Sequence, residues 1–247
     1  MKLCIVTGAS RGLGRAIALA LLQPGHHVLA IARRPDPTLE AEAVARGGSL
    51  TSWTQDLADA PAAAQRLAAW LAAQPKGDAV LINNAAALSE PAPLRDGDLA
   101  DLSNAARVGL EAPLLLCAAF LQATADWGSD RRIVNISSGL GRRAMAGSAS
   151  YCAVKAGMDH FSRVVALEES ARPGGARIVS LAPGIIDTDM QVQLRSADRS
   201  RFPDGAMFES FKTEGQLDSP DSVAAKLLRF LARADFGQEP ISDVRQA

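Results

Sequence analysis

The chain has 247 residues, a formal charge of -1 from 26 Lys plus Arg against 27 Asp plus Glu, and 48% hydrophobic residues. This length and balance suit one globular domain with a full core and argue against a nucleic-acid or anionic-membrane binder, which needs a concentrated basic surface. Three cysteines outside any CxxC or Cys/His cluster, an opening too short for a signal peptide and apolar runs such as 114–121 predict a soluble, cytoplasmic protein without disulfides, structural metal or membrane span.

Residues 3–7 read as a strand, followed by a glycine-rich turn and a helix over 15–23 that stops before Pro24-Gly25. Further strands are predicted over 27–32, 50–55, 79–83, 132–137 and 177–181. Helices are predicted over 38–46, 61–73, 99–124 (with Pro113 inside), 151–171 and 222–233. Strands alternating with helices imply a parallel sheet covered on both faces, so residues 1–247 form one doubly wound α/β domain. The stretch 187–219 shows no clear element and is predicted to be a lid or binding loop.

The first strand runs into Thr7-Gly8-Ala9-Ser10-Arg11-Gly12-Leu13-Gly14. Gly8 permits a tight turn, Gly12 lets the backbone approach a pyrophosphate, and Gly14 lets helix and strand pack closely, with the phosphate at a helix N-terminus. Such a turn can also be purely structural, and its Gly-x3-Gly-x-Gly spacing is not the commonest dinucleotide pattern. The second strand ends in Ala32-Arg33-Arg34, where an NAD enzyme would carry an acid for the ribose hydroxyl. Guanidinium forks there, with Arg11 nearby, suit a 2′-phosphate and favour NADP(H); solvated loop charges are the alternative. Asp56-Leu57 follows the third strand, where the carboxylate can meet an adenine amino group or cap the next element.

Ser138 ends the fifth strand, and Tyr151 and Lys155 lie four residues apart, on one face of the next helix. An ammonium beside a phenol favours the phenolate and would make Tyr151 usable as an acid or base; a half-buried Tyr with a surface Lys is the plain alternative.

These motifs, with Asn83-Asn84-Ala85 and Pro183-Gly184 in the same order, resemble the short-chain dehydrogenase/reductase family over residues 2 to about 190. The resemblance implies a Rossmann-type domain with about seven strands, reducing carbonyls or oxidising alcohols with a nicotinamide cofactor. It implies that Tyr151 protonates the substrate oxygen, Ser138 hydrogen-bonds it, and Lys155 holds the nicotinamide ribose. It adds Ser10, Leu13, Leu57, Asn84, Ala85, Pro183, Gly184, Ile186 and Thr188 to the cofactor contacts. Residues 182–190 and the ending 241–245 look like the sepiapterin-reductase and benzil-reductase branch, whose members reduce vicinal dicarbonyls with NADPH. Asp243 falls where that branch carries a pterin-anchoring Asp. Relatives pair through the helices near 99–124 and 151–171, which implies a homodimer or homotetramer.

Two positions depart from the family pattern. Ala86 replaces a glycine beside the cofactor, and Gly109 replaces an Asn that helps hold a water for proton supply. Asn104, about 500° round an ideal helix from position 109, does not face the same way. Gly109 motivates an alternative reading as a cofactor-binding sensor or scaffold with little catalysis. A ketoacyl thioester is the alternative substrate to a ketone or vicinal dicarbonyl.

Overall fold

A computed structural model describes residues 1–128 and 130–246. Seven strands, β1 (Lys2–Thr7), β2 (His26–Ala32), β3 (Ser49–Thr54), β4 (Ala79–Asn83), β5 (Arg131–Ile136), β6 (Arg177–Ala182) and β7 (Ile241–Asp243), form one sheet in the order 3-2-1-4-5-6-7. Every neighbouring pair is parallel, so each connection must cross over the sheet. The inner strands β1, β4 and β6 are mostly apolar and buried on both faces because both are covered. Cys4, Val6, Val80 and Ile82 point into a core with α1 (Gly12–Leu21), α2 (Thr38–Arg46) and α9 (Pro220–Ala232). Leu3, Ile5, Leu29 and Leu81 point the other way, towards α3 (Ala60–Ala72) and the helices that follow β4. Helix α3 starts where Asp59 accepts the Ala62 N–H and a proline fills the first turn; its Leu67 and Leu71 are fully buried. Each such leucine contributes roughly 1.5–3 kcal/mol of burial.

The helix expected over 99–124 is not uniform. It comprises α4 (Leu99–Ala106), a π-turn (Arg107–Glu111) and α5 (Ala112–Ala123). Pro113 sits in the first turn of α5 and has no N–H to give the carbonyl four residues back, and the ladder widens just before it: the Ala112 N–H bonds Arg107 O. The continuous segment Leu99–Ala123 is long and apolar enough, by length and composition, to cross a membrane. In this fold its Leu116 and Phe120 are buried in the core shared with α3.

The stretch 187–219 also differs from expectation. It carries two short helices, α7 (Asp189–Ser196) and α8 (Gly205–Thr213), and a bridge between Ile186 and Asp218 fastens its two ends. Helix α7 has little apolar character of its own, so its order comes from tertiary contacts. Met145, Leu194, Phe202 and Phe208 form a third, separate apolar cluster, with the Phe202 and Phe208 rings stacked 5.8 Å apart. The 22-residue helix α6 (Ala149–Ser170) brings its first turns to the carboxyl end of β5, where Lys155 reaches Ile136 O.

Candidate active site

The connections from β1 and β4 leave the sheet in opposite directions, which opens a crevice beyond the carboxyl ends of those strands. The crevice is a cleft of about 1520 Å³, larger than the roughly 300–1,000 Å³ usual for one small ligand. At its centre the glycine turn has the shape its sequence predicts. Gly8 and Gly12 have φ of 68° and 52°, a region that L side chains rarely occupy. A Cβ on Gly14 would lie 2.2 Å from Gly8 O and 2.4 Å from Asn84 Nδ2, so only glycine lets α1 close on the turn. Arg11 at the head of α1 is extended and makes no side-chain cap, and the first turn holds no acid. The leading N–H groups of α1 are therefore available to an anion, an arrangement that fits a dinucleotide pyrophosphate. Thr7 Oγ1 accepts the N–H groups of Asn84 (2.9 Å) and Ala85 (3.0 Å), while Asn84 Nδ2 donates to Thr7 O at 3.0 Å. Asn84 thus braces the turn against β4. Ala86 is exposed on the cleft wall.

Arg33 and Arg34 are exposed and line one end of the cleft, with Asp56 and Leu57 beside them. The next acid along the chain, Asp36, is engaged: it accepts from Arg15 Nε at 2.5 Å and from the Thr38 N–H and hydroxyl, contacts that hold its carboxyl below the usual range against the opposing effect of partial burial. Asp56 Oδ1 accepts the Ala58 N–H at 2.9 Å in a loop turn before α3, whose cap is Asp59. Arg11 is ion-paired with Asp189 at the start of α7, across the mouth of the cleft.

Ser138, Tyr151 and Lys155 converge on the other half of the cleft. Ser138 opens a short 3-10 turn and accepts the Leu140 N–H at 3.2 Å, which fixes its hydroxyl beside the Tyr151 phenol. Burial pushes the Tyr151 phenol above its ordinary value, and its hydrogen bond with Ser138 pulls the other way. The expected lowering by the ammonium is not met here. Lys155 Nζ lies 5.7 Å from the ring centroid and donates to Ile136 O at 2.6 Å. Burial lowers Lys155 to about 8, with the Asp159 carboxylate opposing that shift. A phenol that stays protonated at neutral pH is a proton donor, the state a nascent alkoxide needs.

Pro183, Gly184, Ile186 and Thr188 line the cleft between the glycine turn and α7, with Thr188 Cγ2 facing Gly12. Asp243 lies elsewhere: it ends β7, is paired with Arg245 at 2.6 Å, and is not among the cleft-lining residues described. Residue reading missed the remaining substrate-side wall. Leu140, Met145, Met190, Leu194 and Phe208 make it apolar, and Asp101, Asn104 and Val108 add a helical stripe at i, i+3 and i+7. That spacing was the available signal. Asn104 faces the cleft, whereas Gly109 is buried against α6, where an added Cβ would lie 2.6 Å from Val154 Cγ1. Among the described residues no group of three or more His, Cys, Asp or Glu could hold a metal ion.

The sequence matches the short chain dehydrogenase family model over residues 2–199. This protein is a short-chain dehydrogenase/reductase. It is 34% identical to a benzil reductase ((S)-benzoin forming) of Bacillus cereus, covering 96% of this chain and 97% of the relative. It is also 34% identical to the sepiapterin reductase of Mus musculus, covering 94% and 92%. A metagenomic short-chain oxidoreductase solved in complex with NADP superposes with a TM-score of 0.75 at 30% identity, over 98% of this chain and 94% of that one. KRED1-Pglu shares the fold at a TM-score of 0.82 and 24% identity, over 97% and 99%. This short-chain dehydrogenase/reductase is thus an NAD(P)-dependent oxidoreductase acting on CH–OH and C=O groups, on the sepiapterin- and benzil-reductase branch of its family.

Proposed function

We propose that the enzyme is an NADPH-dependent reductase of ketones, with vicinal dicarbonyls of the benzil or sepiapterin kind as its substrate class. The observation that carries this reading is the joint placement of Ser138, Tyr151 and Lys155 at the end of the cleft opposite Arg33 and Arg34. The two arginines are the partners for a 2′-phosphate, and the glycine turn with the open N-terminus of α1 is the partner for the pyrophosphate. When bound, the reduced nicotinamide supplies the hydride. Lys155 reaches towards the nicotinamide ribose, Ser138 orients the carbonyl oxygen, and Tyr151 holds the proton which that oxygen takes up. The neutral phenol suits the reductive direction. The apolar wall from Leu140 to Phe208 excludes water and suits aryl or bulky acyl groups flanking the carbonyl. Residues 187–219 act as the lid over this half, held to the glycine turn through Arg11 and Asp189.

Binding without turnover, the reading that Gly109 raised, loses its motive because Gly109 packs against Val154 and Asn104 takes the cleft-facing position. The test is NADPH oxidation with a panel of benzil, small diketones and a ketoacyl thioester. Benzil turnover is expected, and Tyr151→Phe should keep cofactor affinity while losing about 10²–10⁴-fold in kcat. Cofactor binding with no turnover of any dicarbonyl would overturn the assignment.

A further inference from the structure

Asp159 is a charged group that the mechanism above leaves unused. It lies on α6 one helical turn after Lys155 and is 1% exposed, while Lys155 is 2% exposed. Its Oδ1 accepts the Ser137 hydroxyl at 2.6 Å and the Ser180 hydroxyl at 2.7 Å, and its Oδ2 accepts Arg142 Nε at 3.0 Å. Ser137 follows β5 beside Ser138, Ser180 lies on β6, and Arg142 follows the 3-10 turn that Ser138 opens. Arg142 continues outward, with its Nη2 donating to Ser242 O of β7 at 3.0 Å. A carboxylate this deep is expensive to desolvate, and an apolar side chain would fill the site more cheaply. Its neighbourhood gives it a use, because the nearest buried cation along the helix is Lys155, whose ammonium donates to a neutral carbonyl, Ile136 O.

We propose that Asp159 is a positioning residue for Lys155: fixed by two serine hydroxyls and Arg142 one helical turn further along α6, its buried carboxylate keeps the ammonium charged, and Arg142 ties that control to β7. Among the described residues, the Lys155 ammonium lies near the Tyr151 ring, and Asp159 follows one turn later on α6. Arg142 touches Asp159 from the turn after Ser138, with Asp243 and Arg245 behind it on β7 and the turn after it, and Arg143, Asp101 and Arg11 line the same cleft as Lys155. Asp159 opposes the effect of burial on Lys155, so charge removal at Asp159 and at Arg142 must act in opposite senses. The inference rests on the reading above only in assigning Lys155 to the cofactor ribose.

The experiment measures the affinity for NADPH or NADH, whichever binds more tightly, by nucleotide fluorescence from about pH 6 to 10, with kcat/KM on benzil alongside. Affinity of the unmodified enzyme should fall as Lys155 loses its proton. Asp159→Asn should move that midpoint down by roughly 1–3 pH units, and Arg142→Gln should move it up. Replacing a merely structural carboxylate would lower the melting temperature and leave both midpoints in place, and that result overturns the proposal. So does an affinity of the unmodified enzyme that is flat across the range. If Asp159→Asn does not fold, Arg142→Gln decides alone, since that side chain is 33% exposed at the rim, and an unmoved or lowered midpoint refutes the proposal. Tight cofactor binding with no benzil turnover would count against the substrate class and leave the binding midpoints to judge Asp159.

Discussion

Gly109 offers a quantitative test of how α4–α5 meets α6. A Cβ at this position would lie 2.6 Å from Val154 Cγ1, and Val154 is 6% exposed on a β-branched, stiff side chain, so neither partner can yield easily. Gly109→Ala gains about 1 kcal/mol of helix propensity, while overpacking costs about 1–3 kcal/mol. The expected net loss is up to about 2 kcal/mol, or roughly 4–8 °C in Tm for a chain of this size. Gly109→Asn should lose more, because its amide must follow the Cβ into the same contact. Val154→Ala alone removes two buried methyls, roughly 1.6 kcal/mol at about 0.8 kcal/mol each. In the Val154→Ala background the new methyl at 109 occupies vacated space, so the Gly109→Ala penalty should vanish and its propensity gain should appear. Thermal and urea denaturation of the four proteins measures the coupling, expected at about 1–3 kcal/mol. Strict additivity, or a stabilising Gly109→Ala single variant, would show that α6 does not crowd this position.

Two further expectations concern charge. Arg33→Asp places an acid where the 2′-phosphate is expected, so NADPH affinity should fall by tenfold or more while NADH affinity holds or rises, read by fluorescence titration; an unchanged cofactor preference would refute the assignment. Lys155, lowered by burial to about 8 from its ordinary 10.5, binds its proton less tightly folded than unfolded. Its contribution to stability is therefore smallest below about 8 and grows as pH rises to about 10.5. The Tm of the unmodified enzyme minus that of Lys155→Met should climb through this window, and a flat difference would mean that the ammonium is not desolvated.

What could be read from residues alone was whatever the backbone or a helical repeat forces. Gly14 has to be glycine because Gly8 O and Asn84 Nδ2 leave no room for a methyl, and such a constraint marks the sequence directly. Tyr151 and Lys155 are legible because four residues make one helical turn. Three features escaped. The π-turn hid inside a stretch whose pattern fits one continuous helix, although Pro113 marked the place where an α-helical bond had to fail. Helices α7 and α8 escaped because their order derives from Leu194, Phe202 and Phe208 meeting Met145, a contact between distant segments. The Asp159 cluster draws on residues 137, 142, 159 and 180, whose proximity follows only from the order of β5 and β6 in the sheet. Asp243, singled out by the family resemblance, pairs with Arg245 at the end of β7.

The third apolar cluster has a consequence for how this enzyme can change. Met145, Leu194, Phe202 and Phe208 pack with one another and with Leu88, Leu140, Cys152 and Phe211, in a cluster separate from those on the two faces of the sheet. Leu194, Phe202 and Phe208 belong to the stretch between β6 and α9, and Met145, Leu194 and Phe208 line the cleft. New substrate scope can therefore be explored by repacking this small unit while the sheet, the glycine turn and the Ser138–Tyr151–Lys155 group stay constant. Divergence, natural or directed, has a compartment in which errors alter recognition before they threaten folding.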